Sequence, residues 1–559
     1  MERNIQIFCK NTGEYMDIAG GETLLEIATR IKDKLKFKPI CAHVNNKTEG
    51  LKYPIFMPKM IEFFDCTHPS GKRLYIRSLC MILIKAVHDL FPERRLRIEH
   101  SISKGYYCVF TDDSDISEES VANIKTRMNK IVAENIPFCS HNKLTSDVIE
   151  KFKSSGNKNN AELLQWSDNL YTTYHQLDDI IDVYYGELAP STAYISVFDL
   201  KKYKNGMLLL PPDLTKQPVA PCEPIKQEKL FKAFTDNISF NKIVGVQDVL
   251  DLNKVATQEG NEMRMLINVA ETLHEKAIGK IADQIAERFH EGGAKVVLIA
   301  GPSSSGKTTT TKRLSVQLLA NLIRPQMISL DDYFVNRENT PRDETGDYDY
   351  ESLYALDLEQ LNKDITDLIA GKEVALPTYD FTSGKRIYKG NTLKLTENSV
   401  LLMEGIHGLN PELTKAIPDK QKFKVYVSAL TTLSLDDHNW VPTTDNRLLR
   451  RIVRDYKYRG ASALDTISRW QSVRRGEEKW IFPFQENADA MFNSSLIFEL
   501  GIMKDFAEPI LRQVPHNVPE YAEAYRLLRF LSYFKAIKAE QVPSNSLLRE
   551  FLGGSTFTY

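Results

Sequence analysis

A chain of 559 residues is too long for one hydrophobic core, and a prior of about 150 residues per domain implies three or four domains. A hydrophobic fraction of 42%, a charged fraction of 26% and a formal net charge of -2 describe ordinary globular protein; they argue against a strongly basic nucleic-acid binder overall, though not against a local basic face. Cys9, Cys41, Cys66, Cys80, Cys108, Cys139 and Cys222 form no CxxC pair, which indicates neither a disulfide framework nor a structural zinc site and points to a reducing cytoplasm.

In chain order, strands are expected near Ile5 to Phe8 and Tyr15 to Ile18, a helix near Thr23 to Leu35, and further short strands up to residue 65. The N-terminal alternation lacks the uninterrupted apolar run of a signal peptide. An apolar helix follows between Gly71 and Pro92. Its most apolar stretch, Leu79 to Val87, contains Lys85 and is about half the ~20 residues a membrane span needs, so no membrane segment is expected. Next come a strand-rich stretch through Phe110, helices over Glu118 to Glu134 and Leu144 to Ser154, and alternating apolar positions near Ala193 to Phe198. Leu210 to Pro224 is proline-rich and reads as a linker. A mainly helical region, Glu228 to Glu291, leads to Val296-Val297-Leu298-Ile299-Ala300, which reads as a buried parallel strand. Beyond it, strands at Gln326 to Leu330, Ser399 to Met403 and Lys424 to Val427 alternate with helices at Leu358 to Ala370 and Arg447 to Tyr458, the rhythm of a doubly wound α/β sheet. A helical tail is expected over Pro519 to Ala539, before a polar Gly553-Gly554 terminus.

The chemistry starts at Gly301-Pro302-Ser303-Ser304-Ser305-Gly306-Lys307-Thr308, which fits GxxxxGK[ST] between that strand and a helix beginning at Thr309. Glycines let successive backbone N–H groups and the helix N-terminus face phosphates, Lys307 adds a mobile charge, and the Thr308 hydroxyl suits Mg²⁺. Asp331 and Asp332 follow a strand end, where a carboxylate can accept the proton of an alcohol undergoing phosphorylation, an effect worth about 10²–10⁴ in rate. Glu404 ends a second apolar strand and is a candidate for the metal's shell. Arg447, Arg451 and Arg454 share one face of a helix with Arg450 beside it, a pattern that beside a triphosphate site suits a closing lid.

From the phosphate loop through Ser329-Leu330-Asp331, Tyr348-Asp349-Tyr350, Pro377-Thr378-Tyr379-Asp380-Phe381, Met403-Glu404-Gly405-Ile406 and Asp445 to Gly460, the chain resembles the uridine kinase and phosphoribulokinase family. The resemblance implies a P-loop NTPase-type kinase using ATP and Mg²⁺, with Asp331 as base toward a nucleoside 5′-hydroxyl. It implies Lys307, Arg454 and Arg459 as further catalytic groups, and Gly301, Ser303, Ser304, Ser305, Gly306, Lys307, Thr308 and Thr309 around the nucleotide. It places Asp349, Tyr379 and Arg451 on the substrate and Thr308 and Glu404 on the metal, and it carries an expectation of a homo-oligomer. The chain departs from the family where base-reading groups stand: Gly384 replaces a histidine, Ala461 an arginine and Arg469 a glutamine. A site stripped of those partners loses discrimination for that base, so the acceptor could be another nucleoside or a small polyol.

Residues 1–65 resemble the TGS domain that opens many threonyl-tRNA synthetases, a small β-grasp module. Residues 66–224 resemble the α+β editing-type domain of the same enzymes, through Leu90-Phe91-Pro92, Ser103-Lys104-Gly105-Tyr106-Tyr107 and Pro190-Ser191-Thr192-Ala193-Tyr194-Ile195. Positions matching that domain's zinc ligands are Arg77, Met81, Tyr184 and Leu188, which cannot replace imidazole and thiolate, so the resemblance implies an editing fold without its metal. The expected organisation is completed by a helical connector at 225–290, the kinase domain at 291–510 and a helical tail at 511–559. The front modules leave a second function class open, an RNA- or ribosome-associated nucleotide-dependent regulator. Near-neutral charge counts against it, because phosphate-tracking proteins cluster Lys and Arg. No NKxD follows the phosphate loop, which disfavours a GTPase.

Overall fold

The computed structural model describes residues 4–343, 346–380 and 382–558; Phe381 of the expected tyrosine motif lies outside the described residues. At the front, strands Asn4–Cys9, Glu14–Ala19, Cys41–Val44, Lys47–Gly50 and Met60–Phe64 form one five-stranded sheet, with helix Leu24–Arg30 packed on it through Leu24, Ile27 and Ala28. That helix is shorter than its pattern suggested. It gives way at Ile31 to a 3₁₀ turn, Lys32–Lys34, while its start is fixed by a capping box between Thr23 and Glu26. The apolar helix is Pro69–Leu90, buried along most of its length between the strands Leu96–Ile102 and Gly105–Phe110 and the helix Glu118–Ala133. Among the described residues, no helix is long and apolar enough to cross a membrane.

The alternation near Ala193 to Phe198 yields a 3₁₀ turn, Thr192–Tyr194, and the strands come later, at Asp199–Tyr203 and Gly206–Leu210. The proline-rich stretch is no free tether. Leu210 completes a buried strand, Leu214 is buried, and the chain folds back so that the Cys222 N–H donates to the Pro211 carbonyl. Arg77 donates to the Glu187 carbonyl, and Met81, Tyr184 and Leu188 are buried. His68 caps the apolar helix and stacks on Phe64. Among the described residues, His88, Asp89 and Asp179 are the one group spaced to hold a metal, and the Lys85 ammonium already occupies both carboxylates, at 2.7 and 2.5 Å.

The back half is built on a parallel sheet ordered Arg324–Ser329, Ser399–Glu404, Val296–Ala300, Lys422–Ser428, Ala490–Asn493. Val296–Ala300 is central and fully buried, as a continuous apolar run in a doubly covered sheet should be. Helix Lys307–Ala320 and the long helix Glu262–His290 cover one face through Leu314, Leu318, Ile278 and Ile285. Helix Leu358–Ile369 covers the other through Leu361, Ile365 and Leu368. The helix expected over the tail runs only Tyr521–Leu531; the chain then crosses back to a short helix, Arg549–Leu552, and Leu547 and Phe551 pack into the core beneath the phosphate loop.

The halves are fastened by ion pairs. Asp437 receives Arg95 and Arg97, His438 meets Asp182 at 2.8 Å, and Glu523 bridges Arg73 of the front half to Arg526, which grips Asp445 with two hydrogen bonds.

Candidate active site

Strand register assembles the site. Glu404 lies opposite Ile299 on one side and Ser329 on the other, so Gly301 and Asp331, each two residues further on, emerge at the same carboxyl edge of the sheet. A Cβ at Gly301 would meet the Val427 carbonyl oxygen at 1.9 Å, so only glycine lets the loop leave the strand there. Ser304 and Gly306 take positive φ, 58° and 83°, which curls the loop. Lys307 Nζ donates to the Pro302 carbonyl at 3.2 Å, and the Thr308 hydroxyl donates to Glu404 Oε1 at 3.1 Å.

The arginine helix, Thr443–Tyr458, differs from the closing lid its charges suggested. Arg447 and Arg450 are 1% and 0% exposed and lie under the loop. Arg447 pairs with Glu477 and donates to the Ser303 carbonyl at 3.1 Å; Arg450 pairs with Glu499 and donates to the Ser494 carbonyl at 2.8 Å. Glu477 in turn accepts the Ser303 N–H at 3.2 Å. The physical reason is that Glu477 and Glu499, remote in sequence, neutralise these cations in the interior. The charges then serve as a fixed cradle for loop backbone. Arg451 donates to the Ser303 hydroxyl at 2.8 Å, Arg454 to Asp455 at 2.7 Å, and the Arg459 side chain remains 59% exposed at the helix end.

Asp331 stands in a 3₁₀ turn, Leu330–Tyr333, solvent-accessible yet crowded by protein. Burial pushes its carboxyl up, while the charges of Lys307, Arg459 and Arg454 pull it down, which places all three cations in its electrostatic neighbourhood. Glu404 is pushed up to about 7, first by burial and with Asp331 adding to the rise against Lys307. The Tyr379 N–H donates to Asp332, and its buried ring meets Phe334 edge-on at 5.5 Å. Gly384, where a base-reading histidine was expected, has φ 69°, and a Cβ there would meet the Arg337 guanidinium at 2.8 Å. Asp349 shapes its own turn, accepting the Glu351 N–H at 3.2 Å.

Two residues escaped the sequence reading. Glu351 is pushed up to about 7 by burial and by Glu477, and it feels Arg451, Lys307 and Asp331; its one signal is that it follows Tyr348-Asp349-Tyr350 directly. Glu550 comes from the C-terminal segment and accepts the Thr309 hydroxyl at 2.6 Å and the Thr309 N–H at 3.4 Å, putting a carboxylate on the first turn of the phosphate-binding helix. No local pattern marks it.

The family model for the phosphoribulokinase / uridine kinase family matches residues 296–497. A uridine kinase of Staphylococcus aureus (strain JH9) is 31% identical over 195 residues, which are 35% of this chain and 84% of that protein. In the N-terminal region, a threonine–tRNA ligase of Desulforamulus reducens is 29% identical over 189 residues, 34% of this chain; the chain spans only 30% of the ligase's length. Among solved structures, a D-glycerate 3-kinase from Cryptococcus neoformans is 13% identical, with a TM-score of 0.20, over 46% of this chain and 87% of that one.

Proposed function

We propose a function from one premise: this chain belongs to the phosphoribulokinase / uridine kinase family. The protein is then an ATP-dependent kinase of a small-molecule hydroxyl, and the finer reading is transfer to the 5′-hydroxyl of a nucleoside. The observation that carries this is the meeting of Lys307, the Thr308–Glu404 pair and Asp331 at one edge of the sheet.

In this reading Gly301, Ser303, Ser304, Ser305 and Gly306 surround the phosphates, with the Ser303 N–H held by Glu477 and the Ser305 N–H by the Pro302 carbonyl, Thr309 extends the cradle, and Lys307 neutralises charge on the transferred group. The Thr308 hydroxyl and Glu404 carboxylate are hard oxygen donors already in contact, a set that fits Mg²⁺. Bound there, the ion would neutralise charge on the phosphates. Asp331 accepts the acceptor hydroxyl's proton as its oxygen bonds to the γ-phosphorus, and the bond from that phosphorus to the β,γ-bridging oxygen breaks to leave ADP. Burial raises the Asp331 carboxyl above its ordinary value, which strengthens it as a proton acceptor. Arg454 and Arg459 complement the developing charge, and Arg451 holds the loop through Ser303. Asp349 and Glu351 face sugar hydroxyls, and Tyr379 packs on the base. We place the reaction in the cytoplasm, with a homo-oligomer as the expected assembly. The test is product formation from ATP across nucleosides and small polyols, identified by mass. Phosphorylation of polyols alone would overturn the nucleoside reading, and no phosphorylation of any acceptor would overturn the kinase reading.

A further inference from the structure

A large cavity lies away from the phosphate site. It has a volume of about 1110 Å³ and is lined by remote stretches of chain: the Lys47–Gly50 hairpin arm, the paired strands Cys139–Leu144 and Tyr171–Leu177, the segment Glu187–Pro190, and the helix Tyr521–Leu531. Small-molecule sites commonly occupy about 300–1,000 Å³, so the space suffices for a nucleotide. None of its lining residues belongs to the phosphate loop, the arginine helix or the carboxylates at the sheet edge.

Its chemistry is specific. His175 is 1% exposed and lines the cavity, yet neither ring nitrogen has a hydrogen-bond partner among the described residues; Nε2 lies 3.9 Å from Glu187 Oε2. A neutral imidazole offers one donor and one acceptor, the pair needed to read a hydroxyl or a base edge. Lys47 and Glu49 neutralise each other at 3.0 Å. Lys52 donates only to the Phe138 carbonyl, at 2.8 Å, so its charge is fixed in place without a counter-charge. The Arg529 guanidinium lines the cavity, makes no ion pair among the described residues, and lies near enough for its charge to lower the Glu49 and Glu187 carboxyls. Glu187 is held below the usual carboxylate range, against its burial, by His175 and by the charges of Arg529 and Arg77, so the cavity joins cations to a carboxylate that feels them. The same walls carry aromatic faces: Tyr521, stacked on His516 at 4.3 Å, its neighbour Tyr525, and the 57% exposed Tyr171 across the gap. Cations beside stacked aromatics, with a polar group buried at the back, are what a phosphate, a base and a sugar require together.

We infer that this cavity is a second ligand site, for a free nucleoside phosphate: the base stacks against Tyr521 and Tyr525, the phosphate sits between Arg529 and Lys52, and His175 reads the sugar or base edge. Of the Lys and Arg residues lining the cavity, Lys47 pairs with Glu49 and Arg512 with Glu508, which leaves Lys52 and Arg529, too few for the extended basic track a polynucleotide needs and so in favour of the mononucleotide over RNA. The inference stands independently of the kinase reading.

The experiment is calorimetric titration of the full chain carrying Lys307→Ala, which weakens the phosphate loop, with AMP, UMP and an RNA hexa-adenylate. We expect a mononucleotide to bind with an affinity that falls at least about tenfold in Arg529→Gln. Lys52→Gln should cause a similar fall, and thermal unfolding should identify any variant that fails to fold. Absence of binding by either mononucleotide at about 1 mM overturns the inference, as does an affinity that both substitutions leave unchanged. Tighter binding of the hexanucleotide with a steep salt dependence overturns it in favour of RNA.

Discussion

Glu550→Gln isolates what the C-terminal segment does at the phosphate loop. The wild-type carboxylate takes the Thr309 hydroxyl at 2.6 Å and approaches the Thr309 N–H at 3.4 Å, the backbone group next along from the Lys307-Thr308 pair. A nucleotide phosphate seeking that N–H meets a negative charge about 5 Å away, and two unit charges at that distance repel by about 3 kcal/mol at an effective dielectric of about 20. Glu550 is half-buried, so solvent and salt reduce this to about 1–2 kcal/mol. Glutamine keeps an acceptor for the Thr309 hydroxyl and the packing of Leu547 and Phe551, but removes the charge. Nucleotide affinity should therefore rise about 5- to 30-fold, measured as the Kd of a fluorescent ATP analogue at fixed ionic strength, and the gain should shrink as salt is raised. An unchanged or weaker Kd would refute the reasoning, because it would mean the carboxylate does not compete for the phosphate's place.

Arg447→Met should lower the thermal midpoint by about 10 °C, since breaking a buried pair that is 1% and 0% exposed costs about 3–5 kcal/mol; a fall below about 2 °C would show that the cradle bears no load. Mg²⁺ affinity should depend on pH through Glu404. Its carboxyl is raised to about 7, so it is protonated below that pH and a cation must displace the proton. Affinity should drop about tenfold per pH unit below about 7 and level off above it in a metal titration, and Glu404→Gln should abolish the slope.

What the sequence made legible was local. The phosphate loop, its flanking strand and helix, and the strand ends at Asp331 and Glu404 each announce themselves within a few residues, because the apolar run, the glycines and the acid are contiguous. What stayed hidden depends on pairings between distant segments. The cations of Arg447 and Arg450 read as a surface stripe, since nothing near them in sequence predicts Glu477 and Glu499 as buried counter-charges. Glu550 is likewise invisible beside Thr309 until the chain folds back, after the helix Tyr521–Leu531 has ended. The proline-rich stretch misled for the complementary reason: its prolines do punctuate the chain, but Leu210 and Leu214 tie it to the core. The cavity near Arg529 joins remote segments that no sequence window contains together.

The central claim is that Asp331 is the base of a phosphotransfer to a small-molecule hydroxyl. The measurement that tests it most directly is ATP-dependent product formation by the wild type and by Asp331→Asn, side by side, on the best acceptor found among nucleosides and polyols. The account predicts a kcat about 10²–10⁴-fold lower in the variant, with ATP affinity retained. Turnover within a few-fold of wild type at saturating acceptor would contradict it.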